Sequence, residues 1–475
     1  MPLDCLLPPA MSVLREAFDA GLEAVRGEAC LRGHLAARPV AGRTVIIAVG
    51  KAAVSMTAGA CDILGPQVEG IALTRYGHCG GFALPPGIAV IEASHPVPDA
   101  EGEAAARRIH DCVAGLTADD RLIALISGGG SALLALPGHG VTLAEKQALN
   151  RALLASGASV AEMNCVRKHL SAIKGGRLAL AAWPARVETY CLSDVAGDDP
   201  AAIASGPTVP DTATLADAKA VLARYGIAPS PAVAAALGDP RNALPPADHP
   251  AFADARVEVV ASAGTAIAAA ADVAARAGYA PVILGDAIEG EARAVGASHA
   301  ALARTEQARG GRHALISGGE CTVTLRDPQG RGGPNGEYLL ALALALEGQP
   351  GICVLAADTD GIDGNGDNAA APRRRARQRP RGGAGPQPFR RHLRGARRSG
   401  DDRTDPHQCQ RSADHPCRRR RGARLTLLAN CPDQIIDWSS ILRERRRHDR
   451  SAHGFGRADG RCGFPAGCLP NAPAA

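Results

Sequence analysis

Lys51 stands just beyond the apolar run Thr44-Val-Ile-Ile-Ala-Val49, behind Gly50. An ammonium at that place is a point charge suited to a phosphate, although a solvated lysine opening a helix would read the same way. A second apolar run, Leu122 to Ile126, stops in Ser127, Gly128, Gly129, Gly130 and Ser131. Three residues without side chains can turn their backbone N–H groups toward an anion, and a plain glycine-rich loop has the same composition. A third run, Glu188 to Leu192, ends in Ser193-Asp194, with Asp198 and Asp199 close behind. Asp194 is placed to act as a general base or to hold Mg2+; an acidic turn with helix-capping aspartates is the plainer alternative.

A fourth group is cationic. Asn164 is followed by Arg167, Lys168, Lys174 and Arg177, and the pattern predicts one side of a helix that ends at Gly175-Gly176. Beside two phosphate-suited turns, that side reads as anion-binding rather than as an ordinary basic surface. Three further stretches lie later in the chain. Ser317-Gly318-Gly319-Glu320 repeats the pattern of a strand running into glycines. Arg331, Asn335 and Glu337 sit in a glycine-rich segment around Pro334, and Asp358, Asp360 and Asp363 form an acidic one. The acidic segment lacks the spacing and terminal glutamate of an EF-hand loop, so a cleft lined by aspartate and glycine is the better reading. Neither a Walker A loop nor a GxGxxG fingerprint follows the first strand, which removes direct support for the two familiar nucleotide motifs.

These residues need a scaffold that gathers strand ends. Apolar runs of strand length recur at Gly70 to Thr74, Ile88 to Ile91, Val257 to Ala261, Pro281 to Leu284 and Ile352 to Leu355. Helical stretches such as Ala52 to Leu64, Leu143 to Ala155 and Ala266 to Ala277 lie between them. Continuous apolar strands alternating with amphipathic helices predict an α/β protein with parallel sheets covered on both faces. The Pro/Ala-rich stretch Pro229 to Ala253 interrupts the rhythm, so the expected organisation is a first domain over 1–250, a second over 251–370 and a tail over 371–475.

Bulk properties narrow the function. With 46% apolar and 21% charged residues the chain of 475 has an ordinary globular composition. No apolar run reaches the length of a membrane span, and a cytoplasmic location is expected. The 14 cysteines are scattered without zinc spacing and read as free thiols. The net charge of +5 is unevenly placed: from Ala371 onward there are 25 arginines against 9 acidic residues, which leaves 28 basic against 39 acidic before it. The body is acidic and the tail alone is basic.

In order along the chain, VGKAAVSM, ALTRYGH, IEASHPVPD, LISGGGSALL, NCVRKHLSAIKGGRLA, LSDVAGDDPAAIASGPTVPD, ISGGECTVTL, GRGGPNGE and DTDGIDG resemble the segments of the class II glycerate kinases, the glycerate 2-kinase family. That resemblance implies a Rossmann-like N-terminal domain, a C-terminal MOFRL domain and an active site in the cleft between them. It also implies ATP- and Mg2+-dependent phosphorylation of the C2 hydroxyl of D-glycerate, with small molecules as partners and neither nucleic acid nor membrane; a homodimer is also expected. Lys51 and Asp194 match the family's catalytic lysine and aspartate, with Mg2+ assigned to Asp194. Ser127 to Ser131, Asn164, Lys168, Lys174, Gly318, Gly319, Glu320, Arg331, Asn335, Glu337 and Asp360 match its substrate- and nucleotide-binding segments. Pro334 departs from the pattern, since many relatives carry arginine there. Hydroxypyruvate reductase, a name attached to relatives, is the alternative enzyme, and a nucleic-acid-binding protein using the arginine tail is the alternative of another class.

The tail fits a different account. Back-translated and shifted by one nucleotide, Arg403 to Cys417 permits GPTHTNVNDLRTILV, which resembles the ending of the same family. A frameshift near residue 370 is therefore expected, with the tail beyond it disordered, and the chain as written is expected to be poorly stable or inactive.

Overall fold

The computed structural model describes residues 9–324, 332–359, 363, 418–419 and 424–430. Six strands build the first sheet: β1 (Thr44–Val49), β2 (Glu69–Arg75), β3 (Ile88–Ala93), β4 (Arg121–Ser127), β5 (Arg186–Leu192) and β6 (Arg256–Ala261). All pairs are parallel, and the order is β3-β2-β1-β4-β5-β6. Every residue of β4 is buried, as an interior strand covered on both faces requires. Alternate residues serve opposite cores. Val45, Ile47, Leu122 and Ala124 pack with Ile109 and Val113 of the helix Ala100–Ala114, while Ile46, Ala48, Ile123 and Leu125 pack with Val54 and Met56 of the helix Ala53–Leu64. The strand order reverses between β1 and β4, which opens a crevice at their carboxyl ends.

The second sheet is mixed. It contains β7 (Ala280–Glu291), β8 (His313–Thr324), β9 (Ile352–Asp358), β10 (Arg418–Arg419) and β11 (Arg424–Asn430). β7 runs parallel to β8 on one side, while β10 and β11 pair antiparallel with β8 on the other, and β11 joins β8 to β9. The helices Ala292–Ala308 and Pro334–Ala345 cover one face, and the helix Ala263–Arg276 covers the other. Among the described residues no helix is long and apolar enough to cross a membrane.

The expected division of the chain differs from this arrangement at three places. The Pro/Ala-rich stretch is an excursion that returns to the first sheet: Pro231 opens the short helix Pro231–Ala236 behind the Ser230 cap, and β6 then pairs with β5, so the sheet closes at Ala261 rather than before residue 251. The helix Pro9–Ala24 belongs to the second core, where Met11, Leu14 and Ala17 meet Ile267, Ala270, Ile316 and Leu427. Third, β11 comes from the segment expected to be disordered. Arg424-Leu-Thr-Leu-Leu-Ala-Asn430 is an apolar run of strand length, and without it β8 and β9 would face each other with unpaired backbone groups.

Candidate active site

Each glycine of the Gly128-Gly129-Gly130 turn gives up its side-chain space to another group. A Cβ on Gly128 would lie 1.9 Å from Asp194 Oδ2. One on Gly129, which is left-handed at φ +83°, would lie 3.2 Å from the His95 ring and 3.4 Å from Lys51 Cγ. On Gly130 it would lie 2.6 Å from Ala204 Cβ. The turn is therefore the floor onto which side chains from the ends of β1, β3 and β5 converge.

The adjoining loops are tied together by the backbone. Lys51 N–H donates to the Gly128 carbonyl at 2.8 Å, and Ala52 N–H donates to Ser127 Oγ at 3.1 Å. Gly50, at φ +125°, must lack a side chain because its Cβ would meet Ser127 Oγ at 2.2 Å. On the other flank, Ser131 Oγ and Ser205 Oγ share a hydrogen bond of 2.8 Å, and Ser205 Oγ donates to Asn164 Oδ1 at 3.0 Å. Asn164 Nδ2 donates in turn to the Ala202 carbonyl at 3.2 Å. Ala204 and Ser205 both have positive φ, +50° and +62°, a costly conformation for residues with a Cβ that brings Ala204 under Gly130.

Asp194 leaves β5 and opens onto a narrow cleft between the two sheets, lined also by Asp198, Asp286, Glu289, Gly319 and Glu320. Its side chain reaches solvent through the cleft, yet the protein crowded around it raises its pKa above the ordinary carboxylate value, with the Lys51 charge pulling the other way. Lys51 and Asp194 thus meet the Ser127-Gly128-Gly129-Gly130 turn, and Asp194 faces Gly319 and Glu320 across the cleft.

Other sequence candidates lie elsewhere. The helix Val160–His169 ends at Leu170, so Lys174 is not on it, and Gly175-Gly176 starts the helix Arg177–Ala182 instead of capping the earlier one. Lys174 is buried with its ammonium on the Leu134 carbonyl, Lys168 is buried against the Asp211 carboxylate, and Arg177 donates to the carbonyls of Lys168 (2.9 Å) and Asn242 (2.7 Å). Lys174 and Arg177 hold backbone together, Lys168 pairs with a carboxylate, and none of the three lines the Asp194 cleft. Gly318 lies inside β8 opposite Leu425. Asn335 opens the helix Pro334–Ala345, its N–H donating to Asp363 Oδ1 at 3.0 Å, and Glu337 pairs with Arg293 at 2.8 Å. Pro334 occupies the first turn of that helix, where its missing N–H costs nothing. Arg331 and Asp360 lie outside the described residues. The sequence reading assigned no role to His95 or Asp286; His95 carried a usable signal, since it follows an apolar run just as Lys51 does.

Residues 13–238 match a domain of unknown function, DUF4147, and residues 313–382 match the MOFRL family. A D-glycerate 2-kinase of Thermotoga maritima is 38% identical over 334 residues, covering 69% of this chain and 77% of that protein. The chain belongs to the glycerate kinase family. A crystal structure of glycerate kinase from Thermotoga maritima superposes with a TM-score of 0.66 at 37% identity, covering 75% of this chain and 85% of that one, which bears out the α/β two-sheet expectation. An Agrobacterium vitis protein bearing the name "Putative hydroxypyruvate reductase" is 50% identical over 370 residues, 76% of this chain and 82% of its own.

Proposed function

We propose that this chain transfers the γ-phosphoryl group of ATP to the C2 hydroxyl of D-glycerate, giving 2-phosphoglycerate. The observation that carries the reading is the convergence of Lys51 and Asp194 on consecutive glycines at the switch point of the parallel sheet. Phosphoryl transfer asks a protein for positioning and for charge stabilisation more than for covalent chemistry. Lys51 stabilises the charge on the transferring group, and Asp194 orients the hydroxyl and accepts its proton as the oxygen attacks. A raised pKa suits that second task, because a carboxylate with greater proton affinity is a stronger base.

Mg2+ fits the residues present. Asp194 is a hard oxygen donor, and Mg2+ takes one or two carboxylates together with substrate phosphates and water rather than a full protein cage. When bound, the ion neutralises charge on the nucleotide phosphates.

The name carried by the Agrobacterium vitis relative, and a strand order shared with dinucleotide-binding sheets, favour hydroxypyruvate reduction as the second reading. Against it stands the first βα turn, Val49-Gly50-Lys51-Ala52, which lacks the glycine fingerprint for a pyrophosphate and carries a lysine instead. Two assays separate them. ADP release with ATP and D-glycerate, and a phosphorus NMR spectrum showing the 2-phosphate, are expected; NAD(P)H oxidation with hydroxypyruvate and no ADP release would replace the kinase by the reductase.

A further inference from the structure

We infer that His95 is a further substrate-binding residue, holding the carboxylate of the hydroxy acid beside Lys51. The inference rests on the kinase reading of the same site. His95 follows β3, the outermost strand of the sheet, and β2 and β1 separate that strand from β4. Its ring nevertheless reaches the turn after β4, because the loop is pinned there on its far side. The Pro98 carbonyl accepts from Gln147 Nε2 at 2.7 Å, and the Asp99 carboxylate accepts from Gly102 N–H and from Tyr76 Oη, both at 2.9 Å. At Gly129 both the left-handed backbone and the missing Cβ make room for the ring.

Charge then decides which end of the substrate lies where. The cleft wall beyond Asp194 presents Asp198, Asp286, Glu289 and Glu320, which repel a carboxylate. Lys51 and the His95 imidazole lie instead beside Gly129, outside that acidic lining. A hydroxy acid set with its hydroxyl at Asp194 over Gly128 has its carboxylate directed to His95 over the next residue, which leaves Lys51 to the transferring phosphoryl group. His95 contributes to binding of the hydroxy acid by donating an N–H to its carboxylate.

Steady-state kinetics of the full chain with D-glycerate and ATP test this. His95→Ala is expected to raise KM for D-glycerate about ten- to hundredfold, the loss of one hydrogen bond to a charged group, and to leave KM for ATP unchanged. His95→Gln, which keeps an N–H donor, is expected to recover part of the loss, and it carries the test by itself where the alanine variant fails to fold. An unchanged KM for D-glycerate in the variant that folds, or equal rises in both KM values, overturns the inference. If the wild-type chain releases no ADP, the kinase reading falls, and calorimetric titration with D-glycerate decides His95 separately. Weaker binding by the variant supports it, while equal binding, or none by the wild type, overturns it.

Discussion

At Gly128 a hydrogen is all that fits, because Asp194 Oδ2 would be 1.9 Å and Asp194 Cγ 2.4 Å from any Cβ placed there. Gly128→Ala must therefore push the carboxylate away from the turn without touching its chemistry. On the proposed mechanism, a displaced general base costs about a hundredfold in kcat, of the same order as its removal by Asp194→Asn. Since both substitutions disable one group, the double variant is expected to be no slower than Asp194→Asn alone, whereas multiplying rate losses would show that Gly128 acts independently. The pH profile adds a separate check. Burial raises the Asp194 pKa, so the rate is expected to fall on the acid side at a pH above the ordinary carboxylate range, and Asp194→Asn should lose that limb. Lys51 and Asp194 were legible in the sequence because each directly follows an apolar strand run. The purpose of the glycines was only half legible: composition suggested N–H groups facing an anion, but which side chains close over them depends on strands far apart in sequence.

The cationic segment shows how one misplaced helix end changes a residue's meaning. Reading the helix through to Gly175 put Arg167 and Lys174 on one side, but the backbone turns at Leu170, and the charges go inward. Lys146, from the helix Leu143–Ser156, donates to the Leu170 carbonyl at 2.7 Å, while Lys174 donates to Leu134, which ends the short helix Gly130–Leu133 after the glycine turn. Desolvation first, and repulsion from Arg167 and Arg177 next, push the Lys146 pKa down to about 7. In the unfolded chain a lysine titrates near 10.4. Between those values the unfolded state binds more protons than the folded one, so stability rises with pH across that window and is lowest below it, where the folded protein bears the buried charge in full. Melting temperatures are expected to climb from pH 7 to pH 9, and Lys146→Met should make the climb shallower. Lys174 contributes with the same sign, so some slope remains in that variant. An identical slope with and without Lys146 would show that its ammonium is hydrated rather than buried.

At the scale of the whole molecule, the alternation of strands and helices was legible, because continuous apolar strands demand helices on both faces. The docking of Pro9–Ala24 on the second sheet was not, since an amphipathic helix does not encode which sheet it covers. β11 bears most on function. It fills the slot between β8 and β9, but the fit is chemically poor: the Thr426 hydroxyl and both side-chain polar atoms of Asn335 are buried on the side of the helix Pro334–Ala345 with no hydrogen-bond partner among the described residues. Each such group costs about 1–3 kcal/mol. A frame in which Arg403 to Cys417 reads GPTHTNVNDLRTILV would offer this slot a strand with polar side chains able to answer them. Restoring that frame near residue 370 is expected to raise the melting temperature by several degrees, since about 1 kcal/mol moves the midpoint of a domain this size by 2–4 °C. On the proposed function, ADP release with D-glycerate should rise in parallel, because Gly319 and Glu320 line the Asp194 cleft from β8, the strand against which β11 packs. Melting curves and ADP assays on the two chains, run side by side, decide the matter: equal stability and equal turnover would mean that β11 is the proper partner of β8 and β9, and that the arginine-rich tail is read in its working frame.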